Sequence, residues 1–129
     1  MRFFVFFLFL SSATFAQNNV ENSYKRGQIL YDDFCVRCHL PDGTGEAGLI
    51  PPLAGADFLQ DIQATVHSIK YGLHGPITVN GVKYNSSMAP MGLENDEIAD
   101  ITNYILNSWD NTTDVILTEA YVQGIIETK

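Results

Sequence analysis

The pentapeptide Cys35-Val36-Arg37-Cys38-His39 constrains this chain more than any other stretch, because it contains both of its cysteines. A disulfide across so short a gap closes almost no loop and contributes little chain entropy. A thioredoxin-type redox pair belongs at a strand-to-helix junction within a βαβ pattern, and no strand pattern precedes Cys35. Structural zinc requires four ligands, which two cysteines and scattered histidines do not supply. Covalent haem attachment, by contrast, uses every position of C-x-x-C-H. Thiols one helical turn apart add across the two vinyl groups of haem, and the adjacent histidine offers its imidazole to the iron as proximal ligand. The motif therefore predicts one covalently bound haem c, with its iron, on Cys35 and Cys38, ligated by His39.

The start of the chain agrees with such a cofactor. Met1-Arg2 is a short positive segment, Phe3 to Leu10 is an unbroken apolar run of eight, and "SSATFA" ends in small residues. This is the pattern of a secretory signal over residues 1–16, cleaved after Ala16. The apolar run falls far short of the roughly 20 residues of a spanning helix. The expected mature chain, Gln17 to Lys129, carries 6 basic and 15 acidic side chains. Nucleic-acid binding depends on Lys and Arg neutralising phosphates, so a chain this acidic has no nucleic-acid partner in prospect. Docking on anionic lipid is disfavoured for the same reason. A periplasmic, monomeric protein with no membrane insertion is expected, facing a partner with a basic patch.

Residues 17–22, "QNNVEN", read as a flexible N-terminus. Ser23 is the expected N-cap of a helix through about Cys35. Gly27 and Tyr31 share one face of it, and a glycine there implies close approach of another helix, since it costs about 1 kcal/mol against alanine. Residues 40–55 are rich in Gly and Pro and read as a long loop. A second helix is expected over 56–72, with Phe58, Ile62, Val66 and Ile69 on one stripe and Gly72 ending it. Ile77–Val79 and Val82–Tyr84 flank Asn80-Gly81, a type I′ hairpin signal. The strongest helical period lies over 93–109, with Ile98, Ile101, Ile105 and Trp109 on one face and Asp96 and Glu97 in the first turn, where the helix dipole favours acids. Thr118 is the expected cap of a short last helix in a C-terminal extension, residues 113–129.

The order of these features resembles a class I, single-haem cytochrome c over nearly all of residues 24–112. The features are Gly27 and Tyr31, the C-x-x-C-H motif, Pro51-Pro52-Leu53, a methionine loop, and a helix carrying Tyr104. "GPITVNGVKYNSSMAPMG" followed by "NDEIADITNYILNSWDN" is similar to a bacterial periplasmic subgroup, whose members often occur beside or fused to copper-containing or quinone-cofactor oxidoreductases. The resemblance implies an all-α cytochrome c fold over residues 23–112, a few helices round one haem, with a short β-hairpin insertion. It implies that the first and last core helices cross at Gly27, with Tyr31 and Tyr104 packed there. It also implies that the Pro51 carbonyl accepts a hydrogen bond from His39, a contact that would orient the ring.

The iron's sixth ligand is expected among Met88, Met91, His67 and His74. The resemblance places it in a Met-x-Pro stretch ahead of the last core helix, which Met88-Ala89-Pro90 fits. Relatives commonly carry Met directly before Pro, so Met91 stays a second candidate. Tyr84 is a candidate hydrogen-bond donor to a haem propionate. A Met-His haem with no open position implies an electron carrier rather than an enzyme, working with an oxidase, a nitrite reductase or a dehydrogenase. The alternatives are a gas sensor or small peroxidase with a labile sixth site, and an electron-transfer subunit of a larger oxidoreductase.

Overall fold

The computed structural model describes residues 11–128; the charged start and apolar run of the expected signal lie outside the described residues. Helix α1 spans Ser11–Phe34 and passes directly into a short helix α2, Val36–His39. The chain then runs through the Gly/Pro-rich loop to a 3₁₀ turn, Asp57–Gln60, and helix α3, Ile62–Tyr71. A hairpin of β1 (Ile77–Val79) and β2 (Val82–Tyr84) follows, then α4 (Asn95–Ile105) and α5 (Glu119–Gly124). Among the described residues, no helix is long and apolar enough to cross a membrane.

The sequence misplaces the start of α1. Residues 17–22 are helical rather than loose, and Ser23 is an internal, buried residue rather than a cap. Its hydroxyl donates to Asp100 Oδ1 at 2.7 Å and accepts from Asn103 Nδ2 at 3.0 Å. Once the later turns of α1 are docked on α4, each upstream residue adds a hydrogen bond without a new nucleation cost. Propensity alone therefore underestimates the helix. An exposed Glu21–Lys25 pair lies at i, i+4, a spacing that supports the helix only weakly in water.

α1 and α4 cross at Gly27. A Cβ on Gly27 would strike the Asp100 carbonyl oxygen and lie 2.8 Å from Tyr104 Cβ. The missing side chain is what lets the two backbones meet. Arg26 reaches over the crossing and donates through Nε and Nη2 to the Asp100 carboxylate. Tyr31 is fully buried beside it, with its ring centroid 5.6 Å from Tyr104 and 5.0 Å from Trp109. The Tyr31 hydroxyl donates to the Leu40 carbonyl, tying the crossing to the residue after His39.

The helix expected over 56–72 is interrupted. Asp61 leaves helical geometry and its side chain accepts from Ala64 N, capping α3. The preceding turn is instead fastened to the hairpin. Asp57 N donates to Asn80 Oδ1, and Asn80 N donates to Asp57 Oδ1. The hairpin has the expected register, Ile77 opposite Tyr84 and Val79 opposite Val82. Asn80 and Gly81 both have positive φ, as a type I′ turn requires.

α4 is shorter than its periodicity. Glu97 closes its first turn by accepting from Glu94 N. At the other end, Asn107, Ser108 and Asn111 side chains donate to the carbonyls of Asn103, Tyr104 and Ile105. These contacts satisfy acceptors that the helix would otherwise leave open. Trp109 thus lies beyond the helix, in a left-handed backbone (φ 53°), with its ring against Tyr31 and Gly43.

The C-terminal segment packs on the helices. Leu117 and Val122 are buried. Leu117 N donates to Asn103 Oδ1, and its carbonyl accepts from Asn103 Nδ2. Thr118 caps α5 through its hydroxyl. Lys70 Nζ donates to the Val122 and Ile125 carbonyls, placing a cation at the end of α5 where the dipole favours it.

Candidate haem crevice

The C-x-x-C-H motif forms a single helical turn. His39 N and Cys38 N both donate to the Cys35 carbonyl, and Cys35 N donates to Tyr31 O. The turn sets Cys35, Cys38 and His39 along one wall of a crevice of about 310 Å³. That volume lies within the usual range of cofactor pockets, about 300–1,000 Å³. Phe34, Ile50, Pro51, Leu73 and Ile77 supply further apolar wall, and Tyr84, Met88 and Met91 complete it. A smaller inner compartment of about 70 Å³ continues past Leu53, Phe58, Ile69 and Ile105. Cys35, His39, Pro51, Leu73, Ile77 and Met88 line both compartments.

Both cysteines are free thiols, Cys35 buried and Cys38 exposed. Burial pushes the Cys35 thiol up to about 12, with a smaller contribution from neighbouring Cys38. His39 is 8% exposed, and its Nδ1 lies 3.1 Å from the Pro51 carbonyl. Because a carbonyl can only accept, Nδ1 carries the proton and Nε2 has the lone pair. Among the described residues Nε2 makes no hydrogen bond. Burial lowers the imidazole pKa, and the bond to Pro51 opposes this in part. Burial thus favours the neutral ring, the form that binds a metal.

These features fit haem c on chemical grounds. Two unpaired thiols one helical turn apart, a neutral imidazole with one free nitrogen, and two thioethers lie on an apolar slot. Soft sulfur and imidazole donors suit haem iron.

The structure separates the four distal candidates. Met88 lines both compartments, and Met91 only the outer one. Neither histidine lines either compartment. His74 is exposed, and His67 is half-buried, with its ring 5.1 Å from Tyr71 and Nε2 3.3 Å from Thr128 N. Tyr84 is 6% exposed and faces the crevice from β2. Its hydroxyl makes no hydrogen bond among the described residues.

Sequence reasoning missed how Met88 is held. Leu73 N donates to Met88 O at 2.8 Å, and Met88 N donates to Leu73 O at 2.9 Å. Gly72, read only as a helix stop, also makes room for this pairing: a Cβ there would lie 2.7 Å from Met88 O. Two adjacent functions in one glycine leave no separate sequence signal. Thr65 and Ser68 of α3 also line the inner compartment. Both give their hydroxyl protons to backbone carbonyls one turn earlier, which lets polar residues sit in an apolar wall.

Comparison with known proteins agrees with this geometry. Residues 24–109 match the family model for cytochrome c. Cytochrome c-552 of Thermus thermophilus is 38% identical over 87 residues, 63% of this chain and 66% of the relative. The cytochrome c subunit of a quinone alcohol dehydrogenase from Gluconacetobacter polyoxogenes is 31% identical over 113 residues, 79% of this chain and 22% of that subunit. A gluconate 2-dehydrogenase cytochrome c subunit from Pantoea cypripedii is 30% identical over 104 residues, 77% of this chain and 23% of the relative. The chain spans less than two thirds of the length of each of these relatives. With the motif turn, the crevice and this match together, the chain belongs to the cytochrome c family, and with that membership comes a covalently bound haem c.

Proposed function

We propose that the protein is an exported, freely diffusing electron carrier and not an enzyme, with a single haem attached through Cys35 and Cys38 and ligated by His39 and Met88. One observation carries this reading: the two thiols, the imidazole and Met88 all line one apolar crevice. When bound, haem c supplies a one-electron couple. Pro51 holds the His39 ring and its tautomer, and so sets the orientation and donor strength of Nε2. The Leu73 pairing fixes the backbone of Met88. The apolar wall keeps water from the iron, and together with thioether ligation it raises the potential. Tyr84 is the residue we assign to a propionate, because its hydroxyl is unengaged on the crevice wall.

Residues 1–16 serve as the export signal in this reading, which places the mature chain in the periplasm as a monomer. Its partner is a redox enzyme of the dehydrogenase or oxidase type bearing a basic patch. The excess of acidic side chains supports that choice. Charge steering predicts that the association rate with such a partner falls steeply as salt rises. Stopped-flow electron transfer at a series of ionic strengths checks this, and a flat profile would remove steering from the account.

The exported holoprotein tests the ligation. Reduced c-type bands and a ferric thioether-to-iron charge-transfer band in the near infrared are expected, with no carbon monoxide binding to the ferrous form at neutral pH. Carbon monoxide binding together with an absent thioether band would favour a sensor or small peroxidase. The matches to dehydrogenase cytochrome subunits favour a second reading, a bound subunit of a larger oxidoreductase. Stable co-purification with a dehydrogenase would select it.

A further inference from the structure

We propose that Met91 is a reserve iron ligand, which replaces Met88 when the Met88 thioether is lost. The proposal rests on the reading of Met88 as the resident distal ligand. Both methionines line the outer compartment of the crevice, together with Cys35, Cys38 and His39. The two side chains offer the iron the same soft, neutral sulfur donor. What separates them is placement and tethering. Met88 also lines the inner compartment, and its backbone is bonded to Leu73 at both N and O.

Met91 sits in a different kind of backbone. Residues 89–93 make no backbone hydrogen bond among the described residues, between the fixed points at Met88 and the Glu94–Glu97 cap of α4. Ala89, Pro90 and Gly92 are exposed, and the segment is anchored at its far end by Leu93, partly buried against the core. Gly92 has φ 70° and open space around it, so it can take up a change in direction that other residues resist. Pinned Met88 has the advantage while its sulfur is intact. Without it, the vacated volume adjoins Met91, whose segment is free to carry a second thioether inward. The crevice thus holds two thioethers in rank order rather than one ligand and one filler.

The test uses the exported, haem-loaded protein as wild type, Met88→Ala, Met91→Ala and the double variant. The readouts are the ferric near-infrared thioether band and the carbon monoxide affinity of the ferrous form. Met91→Ala is expected to keep the thioether band, because Met88 is intact. Met88→Ala is expected to keep a thioether band and to bind carbon monoxide at least about tenfold more weakly than the double variant, as follows if Met91 occupies the iron nine-tenths of the time. The double variant is expected to lose the band. If Met88→Ala loses the band and binds carbon monoxide like the double variant, Met91 is not a ligand and the reserve is overturned, while Met88 stands as resident. If Met91→Ala alone loses the band, Met91 is the resident ligand and the Met88 assignment falls as well. A band that survives in the double variant overturns both. Met88→Leu, which retains volume without a donor, gives the same decision if Met88→Ala does not accumulate.

Discussion

Replacing Gly27 with alanine is expected to destabilise the holoprotein by about 3 kcal/mol, the upper part of the usual range for overpacking a tight contact. Intrinsic helix preference acts the other way, favouring alanine by about 1 kcal/mol. The contact decides the sign, because the new methyl meets backbone: the Asp100 carbonyl oxygen and carbon, with Tyr104 Cβ also within 2.8 Å. Backbone atoms cannot rotate away as a side-chain tip can, so α1 and α4 have to separate. Separation also strains the Arg26–Asp100 and Ser23–Asp100 bonds that span the crossing. Equilibrium urea unfolding followed by the Soret band measures the change. Equal or greater stability in Gly27→Ala would show that the helices do not meet as closely as described.

Asn103→Ala is expected to cost about as much, roughly 3 kcal/mol, by a different route. Asn103 is 1% exposed and bonds Leu117 through both N–H and C=O, while also donating to Ser23. Truncation leaves the Leu117 donor and acceptor unpaired in a buried site, at about 1–3 kcal/mol for each unsatisfied group. Partial release of the segment to water limits the total. Hydrogen exchange at the Leu117 amide should accelerate, and the urea midpoint should fall. Faster exchange with an unchanged midpoint would mean that the C-terminal segment opens as a unit independent of the haem domain.

These two residues also mark what the sequence makes legible. Gly27 stands out because a glycine inside a helical pattern demands a reason, and close approach is the reason found. The Asn80-Gly81 turn, the Ile98–Ile101–Ile105 face and the Thr118 cap are local signals, and the structure carries all three. The C-x-x-C-H turn is legible because its chemistry fixes both residue type and spacing. Asn103 is silent by comparison: an asparagine on a helix reads as solvated, and only the fold brings Leu117 and Ser23 to it. Ser23 misleads for the same reason, since a hydroxyl that suits a cap equally suits a buried bond to Asp100. The 3₁₀ break at Asp57–Gln60 escapes notice because Phe58 and Ile62 continue a helical stripe across it. The reciprocal Asp57–Asn80 bonds that favour the break join residues 23 apart in the chain. Periodicity has no access to such partners.

The crossing of α1 and α4 also bears on how the chain assembles. Ser23 and Asp100, bonded across it, are separated by 77 positions. Closing a flexible loop of that length costs about 4 kcal/mol of chain entropy by the logarithmic rule, before any constant term. The individual helices need no such search and can form within about a microsecond. Their pairing must wait for the two ends of the domain to find one another, a distant-contact requirement more common in sheet proteins than in helical ones. Cys35 and Cys38 lie inside the loop that has to close, so a cofactor fixed there is carried through the whole search.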